Sequence, residues 1–253
     1  MVSFRSNLGI PDSGGVGVIP VIGAGRIALL FIVAILDCGF GSARGLDTNS
    51  VIAAWLGAQS NLISWQAEFT QTRDLKALTH PLTSDGKVWF QSPDSFRWEL
   101  GNPVQTVALR QGSELTLLVP RLRRAEKHAL TEGTPGPMRD AWGLFDAGFP
   151  RDAREFHQRF EVLGIVESEI RWWIRLRPKS RGARKFLPEL GIGLAKADYS
   201  LVSTELRFAD GSRLKNDFRN AVRNPRLASG IFTAELDSSW KVTGGGNEKT
   251  GGK

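Results

Sequence analysis

Apolar and polar residues alternate with a period of two through most of the chain beyond residue 63, which predicts strands more than helices. In the first of these stretches Trp65, Ala67 and Phe69 share one face, and polar side chains occupy the positions between them. Just before it, residues 47–50 offer helix N-caps, and the apolar residues of 51–62 follow helical spacing. The pattern therefore predicts one amphipathic helix that leads into a strand-rich domain.

The segment Gly86 to Leu100, GKVWFQSPDSFRWEL, concentrates aromatic residues on two adjacent predicted strands that are joined by a turn at Pro93. The apolar side chains of each strand share one face: Val88 and Phe90 on the first strand, and Phe96, Trp98 and Leu100 on the second. None of these side chains is a nucleophile, an acid or a base. The hairpin therefore indicates an apolar surface that is folded inward, either to pack or to hold a ligand.

Alternation predicts further strands in residues 105–109, 114–119, 123–130, 159–167, 169–177, 193–208, 212–218, 231–236 and 240–243. Between residues 134 and 160, Pro135, Pro137 and Pro150 interrupt segments typical of short helices, which we expect to cover the sheet. Residues 181–190 predict another short helix. About ten strands in meander order, without a βαβ rhythm, favour a mainly β fold in which an antiparallel sheet curves around its own apolar face.

The amino-terminal region contains an uninterrupted apolar run, Ile27 to Leu36, preceded by Arg26 and followed by small residues. Such a run is too short to span a bilayer comfortably and suits the core of a signal peptide. We therefore expect residues 1–43 to be a signal peptide cleaved near Ala43 or Gly45; the alternative is an uncleaved amino-terminal anchor. Residues 44–243 then form one domain, and the glycine-rich residues 244–253 a disordered tail.

The single cysteine, Cys38, follows the apolar run, where a lipoprotein signal places its acylated residue. Asp37 stands where such a signal has a small residue, so we do not expect lipidation. If cleavage falls after Cys38, the mature chain contains no thiol. Its stability must then come from the apolar core alone.

The formal net charge of the 253-residue chain is +7, and it includes a basic cluster at Arg121, Arg123, Arg124 and Lys127. For an exported protein this charge favours anionic lipid surfaces or an acidic protein partner over nucleic acid. A solvated basic surface without a specific partner explains the charge equally well.

Residues that carry catalytic or metal chemistry are scattered. His80, His128 and His157 have no carboxylate or cysteine at metal-ligand spacing, and no nucleophile elbow, P-loop or dinucleotide fingerprint is present outside the predicted leader. Glu167 and Glu169 lie two positions apart on a predicted strand and so share one face, where a solvated surface is favoured over acid–base catalysis. We therefore expect no enzyme activity, no metal and no cofactor.

The hairpin block is followed by Asn102-Pro103 and Gln105, and later by the segment LRFADGS at 206–212, by Asp217-Phe218, by Asn224-Pro225 and by Phe232. In this order and spacing the residues resemble the LolA family, the periplasmic carriers of outer-membrane lipoproteins. The resemblance covers about residues 50–243 and is weak between about 131 and 168.

The resemblance implies an incomplete antiparallel β-barrel of about ten to eleven strands with an α-helical lid. It further implies a monomeric periplasmic carrier that takes a triacylated lipoprotein from an inner-membrane ABC transporter and hands it to an outer-membrane acceptor. By position, Phe96, Trp98 and Leu100 match cavity-facing residues of the family, and Phe69, Val88 and Phe90 would line the neighbouring wall. Without the resemblance, an ordinary dry core is the favoured interpretation of this face.

One position departs from the family pattern. Members commonly have an Arg-Pro pair whose arginine hydrogen-bonds to the lid, whereas this chain has Ser92-Pro93. A serine hydroxyl is short and neutral, so it cannot form a charge-assisted latch. Either Arg97 or another basic residue takes this role, or the lid closes mainly through apolar contact.

Two other classes of function fit a half-barrel with an apolar face. One is a periplasmic sensor or interaction domain, and the other is a carrier of glycolipid or another lipid of the export pathway.

Overall fold

The structure, a computed structural model, describes residues 47–130, 148–150 and 152–244. The predicted signal peptide, Cys38, most of the predicted cover and tail residues 245–253 lie outside the described residues. The helices are α1 (Thr48–Gln59), α2 (Ala153–Arg159) and α3 (Arg181–Phe186), with a short 3-10 turn at Pro120–Leu122. The strands are β1 (Ser64–Asp74), β2 (Leu82–Gln91), β3 (Ser95–Leu100), β4 (Thr106–Gln111), β5 (Glu114–Val119), β6 (Arg124–Ala129), β7 (Phe160–Glu167), β8 (Arg171–Pro178), β9 (Glu189–Ala195), β10 (Leu201–Arg207), β11 (Arg213–Arg223) and β12 (Lys241–Gly244).

In the described part of the chain, each α-helix begins at a side chain that caps its first turn. Asp47 accepts a hydrogen bond from the Asn49 N–H at 3.1 Å, as the sequence predicts for α1, and Asp152 accepts one from the Glu155 N–H at 2.7 Å at the start of α2. Ser180 does the same for α3. Within the described ranges, none of the helices is long and apolar enough to cross a membrane.

The described strands form one twelve-stranded sheet in the order β12-β6-β5-β4-β3-β2-β1-β11-β10-β9-β8-β7. Neighbouring strands are antiparallel except β12, which runs parallel to β6. The edge strands β12 and β7 do not pair with each other, so the sheet stays open. The prediction of a mainly β fold with an unclosed, essentially antiparallel sheet and few helices is confirmed.

Two segments differ from the sequence prediction. Residues 193–208 are not one strand, because the chain turns between β9 and β10, where the Ala195 N–H donates to the Ser200 carbonyl at 2.9 Å. The turn contains neither glycine nor proline, and the alternation resumes after it, so the pattern conceals it. The predicted helix 181–190 correspondingly ends at Phe186, and its last residues belong to β9. The described strands number twelve, where about ten to eleven were expected.

Residues 231–236 are also not a strand. Ala234, Leu236 and the nearby Trp240 instead pack onto a small second core on the far face of β4, β5 and β6, formed by Val107, Leu109, Leu118 and Ala125. The Arg97 guanidinium donates to the carbonyl of Ile231 at 3.1 Å and holds the start of this segment. The apolar alternation of 231–236 therefore reflects packing across a sheet and not pairing within it.

The main core lies on one face of the sheet, beneath α1 and α2. Buried side chains from β1, β2, β3, β5, β8 and β9 join those of α1 and α2 in a single cluster, which requires the sheet to curve strongly around them. Trp55 of α1 meets Phe156 of α2 edge to face at 5.3 Å within this cluster.

Asn224 joins the end of β11 to the junction between α1 and β1. Its side-chain oxygen accepts from the backbone N–H groups of Ile63 at 2.8 Å and Ser64 at 3.1 Å, and its side-chain nitrogen donates to the Asn61 carbonyl at 2.9 Å. Arg223 adds a hydrogen bond to the carbonyl of Ala58, the penultimate residue of α1, at 2.6 Å. These bonds fix the carboxyl end of α1 to the sheet, and we call them the Asn224 clamp.

Gly86 lies in register with Phe69, and the phenyl ring covers its backbone. A Cβ at Gly86 would stand 2.2 Å from Phe69 Cζ and 2.3 Å from the carbonyl oxygen of Glu99. We expect Gly86→Ala to lower the free energy of unfolding by about 1–3 kcal/mol or more, because the backbone oxygen cannot rotate away. Urea denaturation measures the change.

Gly57→Ala is the matched control, because a Cβ at this exposed position of α1 meets nothing within 4 Å. Alanine favours the helix, so this variant should gain about 0.5–1 kcal/mol in the same assay. An equal loss in both variants would contradict the close approach at Gly86.

Candidate functional site

The predicted wall residues lie on one face of three neighbouring strands, β1, β2 and β3. Strand register places Val88 opposite Trp98, Phe90 opposite Phe96, and Gly86 between Phe69 and Leu100. We call Phe69, Val88, Phe90, Phe96, Trp98 and Leu100 the wall residues. Trp98 and Leu100 are half-buried and the other four are buried. The structure therefore brings together the full set that the sequence suggested.

Rings from other strands complete this surface. Phe69 and Trp98 pack with centroids 3.9 Å apart, and Phe218 of β11 approaches them at 6.2 and 6.4 Å. Trp65 meets Phe218 edge to face at 5.2 Å. Sequence analysis did not assign Trp65 or Phe218 to the wall. The sequence pattern does indicate Trp65, because it alternates onto the same face as Phe69. Phe218 joins the wall only through the pairing of β1 with β11, which the pattern does not contain.

Phe149 covers the open end of this surface. It stacks on Phe90 at 4.6 Å with an interplanar angle of 10°, and it also contacts Trp65 at 5.0 Å. Deeper in the wall, Phe96 is only 2% exposed. A ligand that reaches this depth therefore requires covering side chains to move.

A cavity of about 160 Å³ lies beside Phe149, between the end of α1 and the turn that joins β2 to β3. We call it the mouth cavity. Its lining residues are Gln59, Ser60, Leu62, Phe90, Ser92, Pro93, Phe149 and Pro150. Ser92, the predicted latch position, is exposed at its rim. The cavity connects the latch position with the wall through Phe90.

Arg97 does not take the place of a latch in this arrangement. Its side chain lies on the opposite face of the hairpin, where Nε donates to Glu99 at 2.6 Å. Arg110 lies in register with Phe96 and thus on the wall face, and it reaches Asp94 of the β2–β3 turn at 3.4 Å. Arg110 is therefore the candidate for a basic residue that replaces the arginine latch. The stacked Phe149 is the candidate for closure through apolar contact.

Acidic and basic groups cluster on the opposite face of the same strands. The Thr70 hydroxyl donates to Asp85 at 2.8 Å and, together with Arg219 at 3.2 Å, lowers the pKa of that carboxyl group. A hydrogen bond from Asn220 likewise lowers the pKa of Glu68. These groups stay ionised on the solvent side, whereas the wall residues are apolar. The hairpin thus separates a charged face from an apolar one.

The residues considered for catalysis or metal binding do not form a site. Glu167 is the last residue of β7 and forms an ion pair with Lys196, whereas Glu169 lies in the turn before β8. The expectation that Glu167 and Glu169 share a strand face is therefore wrong, because the chain reverses between them. In the part of the chain that the structure describes, no group of three or more His, Cys, Asp or Glu side chains could hold a metal ion.

Comparisons with known sequences identify a family. A family model described as "Outer membrane lipoprotein carrier protein LolA" matches residues 60–235. An "Outer-membrane lipoprotein carrier protein" from Methylobacillus flagellatus is 22% identical over 205 residues, which span 77% of this chain and 94% of that protein. A protein of the same name from Bordetella avium is 23% identical over 189 residues, spanning 70% of this chain and 82% of that protein.

Among solved structures, a LolA superfamily protein from Nitrosomonas europaea aligns with a TM-score of 0.40 at 10% identity, covering 74% of this chain and 97% of that chain. The family match extends from the end of α1 into the segment that covers β4 to β6. It therefore includes every wall residue.

Removing Phe149 should open the mouth. We expect Phe149→Ala to increase the fluorescence of a hydrophobic dye bound to the free protein, because the variant uncovers Phe90 and Trp65. The control is Phe186→Ala, which removes a ring that packs on Phe208 at 5.2 Å. Circular dichroism establishes that both variants stay folded. Equal dye binding by both would show that Phe149 does not close the mouth.

An arginine at the latch position should restrain opening. We expect Ser92→Arg to slow the uptake of a fluorescent acyl probe in stopped-flow mixing, since a guanidinium can form charge-assisted hydrogen bonds that serine cannot. Ser92→Gln supplies a neutral side chain as the control. If Ser92→Arg leaves uptake and release unchanged, the latch position has no bearing on lid movement in this protein.

Proposed function

Because the chain belongs to the LolA family, we propose that it binds the acyl chains of lipoproteins released from the inner membrane and carries them to the outer membrane. The observation that carries this proposal is the wall, a continuous set of apolar side chains on β1, β2 and β3 inside a sheet that does not close. The family is described as a carrier family, and the proposal requires no catalytic group.

The physical task explains why the wall consists of rings and aliphatic side chains. Each acyl methylene removed from water contributes about 0.8 kcal/mol, so three long chains amount to a few tens of kcal/mol. Apolar side chains cover such chains with few directional bonds and accept different chain lengths. The cost of moving Phe149 and of ordering the chains offsets part of this affinity. Release then depends on an acceptor with a higher affinity for the cargo.

The proposal extends to location and partners. Residues 1–43 are removed as a signal peptide, residues 44–243 act as one carrier domain in the periplasm, and residues 244–253 are a tail. The protein receives its cargo from an inner-membrane ABC transporter, passes it to an outer-membrane acceptor, acts as a monomer and binds no nucleic acid. Closure by Phe149 supports transit through an aqueous compartment, because a carrier there must keep its apolar surface away from water.

Mass spectrometry of the protein purified from its native periplasm tests the cargo. We expect a triacylated lipoprotein to co-purify with it. Free lipid without lipoprotein would instead indicate a carrier of another lipid, and an empty protein bound to a protein partner would indicate a sensor or interaction domain. Either of these results would overturn the proposed function.

Substitutions on the two faces of the hairpin test the wall directly. We expect Trp98→Asp to weaken binding of a triacylated lipopeptide by roughly tenfold or more, because a carboxylate on the wall has no polar partner when acyl chains cover it. Trp89→Asp is the matched control, since Trp89 is also half-buried but lies on the charged face, opposite Arg97. Equal losses in titrations of the two folded variants would show that the wall is not the binding surface.

A further inference from the structure

A group of exposed cations lies at the end of the sheet opposite the mouth. Strand register identifies this end: β1 starts beside the mouth, where Ser64 faces Gln91, and runs away from it to Asp74. From Asp74 the register continues through β11 and β10 to Glu189, the first residue of β9. Helix α3 ends shortly before Glu189, so it lies at this far end.

The segment 179–186, which includes α3, contains four cations and no acidic residue. Arg181 and Lys185 are exposed, and Arg184 is half-buried. Within the described ranges none of these three forms an ion pair. Glu189, the next acidic residue along the chain, is already paired with Arg175 at 2.8 Å. Like charges this close on a short helix repel each other, so an anionic partner would relieve the repulsion.

The loop between β1 and β2 extends this surface. The turn 208–212 is bonded to both parts: its Ala209 N–H donates to the Phe186 carbonyl of α3 at 3.0 Å, and the Lys76 N–H donates to a serine hydroxyl of the same turn at 3.3 Å. Lys76 is exposed, and so are the apolar side chains of Leu78 and Phe186. Exposed apolar groups therefore stand among the cations.

The turn between β5 and β6 repeats this combination at the same end. Register through β2, β3 and β4 places Glu114, the first residue of β5, at the mouth end, so the turn that follows β5 lies at the far end. There Leu122 is 67% exposed and lies between the exposed Arg121 and Arg123. We call the set of these residues the basic rim: Lys76, Leu78, residues 120–124 and α3.

We propose that the basic rim docks the protein on the surface of an anionic phospholipid membrane. Lysine and arginine attract anionic headgroups, and exposed leucine and phenylalanine side chains enter the boundary between headgroups and acyl chains. The apolar side chains of the rim stand singly on separate turns. Lipids rearrange around each of them, whereas a folded acidic protein would need a separate complementary pocket for each.

Docking by the basic rim also sets the orientation of the protein. The mouth cavity lies at the other end of β1 and β2, so it faces away from the lipid surface and stays accessible to a partner. The inference goes beyond the proposed carrier function, because the rim contains none of the wall residues and docking requires no cargo.

Solvated cations are the competing explanation. Arg184 and Lys185 lie in the last turn of α3, where cations interact favourably with the carbonyl groups that end a helix. In that case the basic rim is an ordinary hydrated surface, and the protein does not distinguish anionic from neutral membranes.

Co-sedimentation with vesicles tests the proposal on the protein purified from its native periplasm. We expect the wild type to bind vesicles that contain phosphatidylglycerol at least tenfold more tightly than vesicles of phosphatidylcholine alone. Added salt should weaken this preference, since it screens the attraction between exposed charges. Equal binding to both kinds of vesicle, or binding to neither, would overturn the inference.

Removal of the α3 cations tests which surface docks. We expect the combined substitutions Arg181→Gln, Arg184→Gln and Lys185→Gln to weaken binding to anionic vesicles by more than tenfold, because each cation near such a surface contributes roughly fivefold.

The matched control removes three cations that form ion pairs on β2, β6 and β11, and so has the same net charge as the α3 variant. Its substitutions are Lys87→Gln, Lys127→Gln and Arg219→Gln. Circular dichroism establishes that both variants stay folded. Equal losses would show that net charge and not the basic rim determines binding, which would overturn the inference.

The apolar contribution is tested at one exposed residue of each end. We expect Leu122→Ser to weaken binding to anionic vesicles by roughly three- to tenfold, because less apolar surface then enters the membrane. Ile170→Ser is the control, since Ile170 is 76% exposed but lies in the turn between β7 and β8, at the mouth end. If Leu122→Ser binds as tightly as the wild type, or both variants lose equally, the rim does not enter the membrane and the inference is overturned.

A lipopeptide titration separates this inference from the carrier function. The α3 variant should bind a triacylated lipopeptide as tightly as the wild type, because α3 contributes no wall residue. A wild type that binds the lipopeptide but not anionic vesicles overturns docking and leaves the carrier function supported. Capture of an acidic periplasmic protein by the basic rim, without vesicle binding, likewise overturns docking on lipid.

Discussion

The packing of Phe69 against the bare backbone of Gly86 sets the geometry of the apolar wall. A Cβ at Gly86 would stand 2.2 Å from the ring, so only glycine lets the phenyl group lie this close to β2. In that position Phe69 meets Trp98 across β2 at 3.9 Å and carries the ring surface from β1 to β3. Trp173 uses the same device on β9, where its ring covers Gly191. Aromatic side chains thus join strands in this sheet where small residues leave space.

The wall residues are apolar, and the ionised side chains of the same region lie on the other face of the sheet. Both observations agree with the carrier hypothesis. Ionised side chains such as Asp85, Glu68 and Arg219 lie on the opposite face, where water and mutual hydrogen bonds satisfy them. The wall offers an acyl chain little that is directional. Under the carrier hypothesis, these apolar contacts supply affinity and discriminate little between acyl chains.

The sequence was sufficient for the features that depend on local periodicity. The alternation of Phe96, Trp98 and Leu100 correctly placed them on one face, because side-chain direction in a strand follows from position alone. Features that depend on distant pairing were not accessible. Phe218 joins the wall through the register between β1 and β11, Arg97 is drawn to the carbonyl of Ile231, and residues 231–236 pack across the sheet although their pattern is that of a strand. The family resemblance supplied the ligand class, which periodicity does not contain.

The Asn224 clamp has a consequence for how the molecule can open. It ties the carboxyl end of α1, with Gln59, to β1 and β11 through backbone and side-chain hydrogen bonds on residues more than 150 positions apart in sequence. A helix held in this way cannot swing outward at that end without breaking several bonds at once. Phe149 is held at the mouth by ring contacts to Phe90 and Trp65. The two sides of the mouth are therefore held by different forces, with directional hydrogen bonds at the end of α1 and apolar contact at Phe149.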